Sequence, residues 1–113
     1  MSLLNAMRPF IHMLLHFVVP ALVARTFYGD RWRWAFLIMV GTMIVDIDHL
    51  LADPIYDPNR CGIGFHPLHS YPAIAVYLLL LVIPRVNWLR LVALGLVIHM
   101  FLDGVDCLWI RLE

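Results

Sequence analysis

The sequence places aspartates and histidines at short spacings inside apolar stretches. Asp46, Asp48 and His49 stand near the end of one such stretch, and His99 and Asp103 lie four residues apart in another. A charged side chain at the middle of a membrane costs about 2.5–3.5 kcal/mol, so carboxylates in that setting need a partner. The chain has no lysine to neutralise them. The predicted partner is a divalent cation, for which mixed histidine and aspartate ligands favour zinc, with iron or manganese as alternatives.

Eleven residues make up the candidate site. The predicted metal ligands are His12, His16, Asp46, Asp48, His49, His69, His99 and Asp103. His66 and Asp106 are predicted to carry protons as catalytic residues, or else to orient ligands. Arg60 is predicted to bind a substrate phosphate, the alternative being a solvated loop arginine. Because the ligands outnumber the four of one tetrahedral zinc, two metals bridged by an aspartate fit them better than one.

Helical spacing groups the candidate ligands into stripes. At about 100° per residue, His12 and His16 are about 40° apart, and Asp46 and His49 about 60° apart. For His12 alone, helix packing is an equally good interpretation. Asp48 lies about 160° from Asp46. We therefore expect Asp48 either at a loosened helix end or behind the metal, where it orients a histidine ligand.

Four apolar segments must position these residues. They are Phe10–Phe27, Trp34–Leu51, Leu68–Ile83 and Trp88–Ile110. A membrane-crossing helix needs about 20 residues, and the third segment, at roughly 24 Å, is short. The composition is 63% hydrophobic and 14% charged, against about 45–50% and about 25% in soluble domains. The sequence predicts an all-α protein: one domain, residues 1–113, forming a four-helix transmembrane bundle.

The connections determine which helix ends share a side of the membrane. Gly29–Arg33 and Pro84–Asn87 are short, which makes neighbouring helices antiparallel. Ala52–Pro67 is a longer loop rich in turn residues, and loops of this length are more often functional. The start of each odd segment and the end of each even one then lie on the side of the long loop. All ten histidines and aspartates of the candidate site fall there, which predicts a metal site in one leaflet.

The distribution of arginines indicates how the helices are oriented in the membrane. Five arginines flank the short connections, against Arg8, Arg60 and Arg111 on the other side. The positive-inside rule then favours cytoplasmic short turns, with both termini and the long loop outside.

Cys61 and Cys107 have no CxxC spacing, and we expect inert buried thiols, with a disulfide as the alternative. The net charge of zero gives no reason to expect nucleic acid as a partner.

Three motifs resemble those of a family of small membrane-bound, predicted metal-dependent hydrolases, the YdjM-like group. They are Asp46-Ile-Asp48-His49, His66-Pro-Leu-His69-Ser70 and His99-Met-Phe-Leu-Asp103. The resemblance implies that the metal-site positions are Asp46, Asp48, His49, His69, His99 and Asp103. His66 departs from the family pattern, in which the two histidines are spaced more widely, and the His12/His16 pair is additional.

The chain looks still more like a small bacterial subgroup that shares two stretches. These are Asp57-Pro-Asn-Arg-Cys61 and Gly64-Phe-His-Pro-Leu-His-Ser70. This resemblance implies a protein of the bacterial inner membrane. Combined with the arginine bias, it predicts that the long loop and both termini lie in the periplasm.

The function predicted from these residues is hydrolysis, in which a metal-activated water attacks a phosphoester or ester. The site would open to the outer leaflet under the long loop, so a lipid or lipid-linked substrate is expected beside the lipid bilayer, and homo-oligomerisation is left open. Metal or proton transport is the alternative, but it needs polar groups in the far halves of the helices, which hold almost none. Haem binding and a purely structural metal site are further alternatives.

Overall fold

The computed structural model describes residues 2–83 and 86–112, and Pro84 and Arg85 of the predicted second short connection lie outside this range. Every regular element in the described ranges is helical, which confirms the all-α class and the four-helix bundle. The helices are α1 (Leu3–Phe27), α2 (Trp32–Gly41), α3 (Tyr71–Val82) and α4 (Asn87–Leu112). Helix α4 packs against the other three and forms the centre of the bundle.

The interior of the bundle contains buried polar side chains as well as an apolar core, and large apolar side chains cover the exterior. The main core cluster consists of Ala24, Ala35, Met39, Leu91, Ile98 and Leu102. The buried polar residues are Arg8, His16, Thr42, Asp48, His66, His69, His99 and Asp103. Large apolar side chains face outward, with Phe10 76% and Phe101 68% exposed. Ionisable residues of membrane proteins characteristically face the bundle interior in this way.

Three helical segments are long and apolar enough to cross a membrane: Leu3–Phe27, Gly29–Leu51 and Asn87–Leu112. Helix α3 has 12 residues, or about 18 Å, which is well short of the roughly 30 Å of a hydrocarbon core. The predicted third segment is therefore shorter than expected. Ser70 caps α3 by accepting from the backbone N–H of Ala73, and the residues before it form a separate 3-10 turn, Pro67–His69.

The second spanning segment changes its helix type where the candidate site begins. Helix α2 ends at Gly41, and Thr42–Leu51 continues as a 3-10 helix. A 3-10 run of this length is uncommon and often marks a functional segment. Gly95 of α4 lies against this junction, where a Cβ atom would stand 2.8 Å from Thr42 Oγ1 and 2.9 Å from Met39 Cα. The absence of a side chain at Gly95 thus allows α4 to approach the segment closely.

Cys61 and Cys107 form a disulfide, with their Cα atoms 4.8 Å apart, so the expectation of two inert thiols was wrong. The long loop folds back over the end of α4 and brings the two residues together. Arg8 of α1 donates to the backbone carbonyl of Pro58 in the same loop. The loop is therefore attached to both α1 and α4.

Candidate metal centre

Four ligand atoms meet inside the polar end of the bundle: Asp46 Oδ1, His69 Nε2, His99 Nε2 and Asp103 Oδ2. The two nitrogens are 3.2 Å apart, and each is 3.1 Å from Asp46 Oδ1. They lie 3.0 and 3.2 Å from Asp103 Oδ2. Four nitrogen and oxygen ligands placed tetrahedrally at about 2.0–2.1 Å from zinc stand about 3.3 Å from one another. The measured separations fit such a ligand set, which we call the central group.

Hydrogen bonds alone do not explain why the four atoms of the central group lie so close together. His69 Nδ1 donates to Asp48 Oδ2 at 2.8 Å, and the same oxygen accepts from the backbone N–H of Leu68 at 2.9 Å. His69 Nε2 faces two carboxylates and the His99 nitrogen at once, whereas one ring nitrogen carries at most one proton. A cation satisfies all four atoms together, and a proton satisfies only one pair.

A second group, which we call the α1 group, uses the other oxygen of Asp103. Asp103 Oδ1 lies 3.1 Å from His12 Nε2 and 3.2 Å from His16 Nε2. His16 Nδ1 is 2.8 Å from the backbone carbonyl of His12. Because a carbonyl only accepts, Nδ1 carries a proton, and in the neutral imidazole Nε2 then presents the lone pair to Asp103. A carboxylate with ligand sets on both oxygens has the arrangement that bridges two metals.

Local helix geometry explains how each element presents its ligands. His12 and His16 in α1, like His99 and Asp103 in α4, are four residues apart and share one face of an α-helix. In the 3-10 segment, residues three apart eclipse each other, which places Asp46 and His49 on the same side.

Asp48 lies behind His69, in one of the two positions that its helical angle allowed. Its Oδ2 holds the imidazole through Nδ1, the usual arrangement behind a metal-binding histidine. Asp48 Oδ1 is buried and has no hydrogen-bond partner within the described residues.

A third group, which we call the loop group, consists of Asp48, His49 and His66, whose ligand atoms lie within 4.8 Å of one another. The rings of His49 and His66 stack with their centroids 4.0 Å apart. Burial and the neighbouring His49 lower the pKa of His66, so this imidazole is neutral near pH 7. His66, which was predicted to carry protons, therefore lies beside two other side chains that could bind a metal.

Asp106, the other residue predicted to carry protons, pairs with Arg8. The guanidinium donates to Asp106 Oδ1 at 2.7 Å, and Arg8 is 3% exposed. This partly buried ion pair engages the carboxylate that was predicted to carry protons. Arg8 was not among the predicted site residues, because it lies before the predicted first segment. The available signal was its position one helical turn before His12.

A cavity of about 210 Å³ borders the three groups. Its lining includes Arg8, His12, Asp46, His49, Tyr56, Arg60, His66, Asp103 and Asp106. The Arg60 guanidinium lies 4.7 Å from the centre of the Phe65 ring and donates to the backbone carbonyl of Ile55 at 3.2 Å. The structure thus brings the eleven predicted residues to one end of the bundle, with Arg60 on the cavity wall. Its contact with substrate stays a prediction.

Residues 6–110 match a family described as a family of unknown function, DUF6122. No curated protein and no solved structure shows a significant match. The resemblance to the YdjM-like group stays a prediction. Because the match covers nearly the whole sequence, the chain belongs to the DUF6122 family.

Proposed function

We propose that this protein is a membrane-embedded, metal-dependent hydrolase that acts on a phosphoester or ester. The observation that carries the proposal is the pair of ligand groups joined by Asp103, with separations that suit zinc in the central group. Metals held by these residues would supply Lewis-acid activation of water and of the scissile group. A pair of metals beside a cavity is more typical of catalysis than of a structural site, which is usually a closed four-ligand zinc.

The protein's own residues would hold and orient the reactants. Asp48 fixes the ring of His69 through a 2.8 Å hydrogen bond, which keeps Nε2 directed into the central group. Arg60 stands on the wall of the same cavity, where a guanidinium would bind the oxygens of a phosphate. The cavity lies at one end of a bundle whose exterior is apolar, which favours a lipid or lipid-linked substrate.

Transport is less well supported than hydrolysis. A transit path needs polar groups along the whole length of the bundle. Among the described residues, the buried ionisable side chains gather at the end of the bundle that carries the long loop. A hydrolase needs polar groups only at that end.

The proposal is tested on protein purified in detergent. We expect elemental analysis to find one metal for each of the two joined groups. We also expect hydrolysis of a panel of phosphomonoesters, phosphodiesters, carboxylic esters and phospholipids to yield at least one substrate. Chelation should abolish this activity and zinc should restore it.

Two matched variants distinguish the effect of a substitution in the site from that of a substitution elsewhere in the bundle. His99→Ala should lower the activity below detection, whereas Thr26→Ala, at the exposed far end of α1, should leave it unchanged. Protein that binds metal but cleaves nothing in the panel would make the site structural. Protein that binds no metal would overturn the proposal altogether.

We further propose that the long loop and both termini face the periplasm of a bacterial inner membrane. Disulfides persist in oxidising compartments and are rare in the cytosol, and Cys61–Cys107 joins the loop to the end of α4. Trp109 Nε1 donates to Asn5 Oδ1 at 2.8 Å, so the two ends of the described chain lie on one side. The arginine bias gives the same orientation.

Cysteine labelling in intact cells tests this orientation. After a membrane-impermeant reductant, we expect Cys61 and Cys107 to react with a membrane-impermeant maleimide. As a control, Asp30→Cys in the turn between α1 and α2 is made in a Cys61→Ser/Cys107→Ser background. This cysteine should react only after permeabilisation, and the reverse pattern would contradict the proposed orientation.

A further inference from the structure

We propose that the loop group, Asp48, His49 and His66, binds a further divalent metal ion that is separate from the two groups joined by Asp103. The three residues come from the 3-10 segment and from the long loop, and they share none of the atoms of the other two groups. The inference stands independently of hydrolysis, because it concerns binding alone.

The buried carboxylate of Asp48 gives the first argument. Asp48 is 3% exposed. Oδ2 already accepts from Leu68 and His69, whereas Oδ1 has no hydrogen-bond partner in the part of the chain that the structure describes. A buried charged oxygen without a partner destabilises a protein. A cation next to Oδ1 would remove that penalty. The nearest ring nitrogen is His49 Nδ1 at 3.3 Å, which lies closer to the backbone carbonyl of Asp46, at 3.0 Å.

The two imidazoles give the second argument. His49 Nδ1 lies 3.0 Å from the backbone carbonyl of Asp46, so Nδ1 carries a proton, and in the neutral imidazole Nε2 keeps the lone pair that would bind a metal. The His66 ring stacks on it at 4.0 Å, with an angle of 28° between the ring planes. Two imidazoles and a carboxylate form a common ligand set for zinc and neighbouring transition metals.

The loop backbone places His66 before any metal binds. Its N–H donates to the carbonyl of Gly62 at 3.1 Å, and its carbonyl accepts from the N–H of His69 at 3.0 Å. A Cβ atom at Gly62 would stand 3.3 Å from His66 Cδ2, so glycine at this position leaves room for the ring. Such a preformed turn is what a ligand residue on a loop requires.

Three protein ligands leave a coordination position open to the cavity that His49, His66 and Arg60 line. Sites with three protein ligands and an open position bind water or substrate there. The loop metal would therefore bind water or an anion from the cavity that Arg60 also lines. A metal takes the lone pair that a proton carrier needs, so this role for His66 replaces the predicted one.

Metal counting tests the inference on full-length protein in detergent, loaded with zinc and then desalted. His49→Ala and His66→Ala should each bind one zinc fewer per chain than the wild type. Tyr56→Phe, on the same cavity wall, should keep the wild-type count. Combining His66→Ala with His16→Ala should lower the count by the sum of the two single losses. An unchanged count in both His49→Ala and His66→Ala would overturn the inference.

Anomalous scattering at the zinc edge tests the unmodified protein, so a misfolded variant does not decide the matter. We expect a peak between Asp48 and His66, in addition to those at the two groups that share Asp103. Peaks only at those two groups would overturn the inference and leave the proposed hydrolase standing. A third peak in protein that hydrolyses nothing would support the inference while the proposed function fails.

Discussion

Asp103→Ala is expected to remove the metals of both the central group and the α1 group in a single substitution. Its two oxygens face different groups, with Oδ1 near His12 and His16 and Oδ2 near His69 and His99. His16→Ala, which removes a candidate ligand from the α1 group alone, should remove one metal. Elemental analysis of the two variants side by side measures the difference, and the hydrolytic activity should disappear with the Asp103 side chain.

Asp106→Asn is the matched control for this experiment. The residue lies one turn further along α4 and borders the same cavity, but it pairs with Arg8. Its variant should keep both metals. If the Asp103→Ala protein retained either metal at wild-type affinity, the two groups would not share this carboxylate.

Asp48→Ala is expected to weaken zinc binding at the central group by about 10–100-fold, the usual effect of removing the residue that orients a histidine ligand. The ring of His69 loses its hydrogen bond at Nδ1, and the backbone N–H of Leu68 loses its acceptor. An unsatisfied buried donor costs about 1–3 kcal/mol, so the melting temperature should fall as well. Zinc competition with a chelating indicator measures the affinity.

This experiment is done in a His66→Ala background, so that metal in the loop group does not contribute to the signal. Asp48→Asn is the milder comparison, because an amide oxygen in the place of Oδ2 can still accept from both Leu68 and His69, so this variant should lose less affinity. Complete loss of the central metal in Asp48→Ala would make Asp48 a ligand instead of an orienting residue. An unchanged affinity would remove it from the site.

The sequence predicts that the candidate ligands lie together at one end of the bundle, because this depends on local properties of the chain. Short connections make neighbouring helices antiparallel, and a spacing of four residues puts His99 and Asp103 on one helical face. The sequence also favoured an aspartate bridge, but it did not identify Asp103. That assignment depends on how α1 crosses α4, which residue spacing does not encode.

Other features depend on contacts between distant parts of the chain, which sequence patterns do not reveal. The 3-10 segment follows a junction packed against Gly95 of α4, although the residues themselves have an apolar helical pattern. The Arg8–Asp106 pair joins residues 98 apart in sequence. The disulfide joins residues 46 apart, and its formation depends on the path of the long loop.

The position of α4 at the centre of the bundle has a consequence for biogenesis. Asp103 belongs to both joined groups, and Cys107 completes the disulfide, so neither the groups nor the disulfide can form until α4, which follows α1 to α3 in the chain, has been synthesised. The helices that emerge first from the ribosome carry His12, His16 and Asp46 without their partners. If the protein binds metals as proposed, their loading would follow the synthesis of α4, as the formation of the disulfide does.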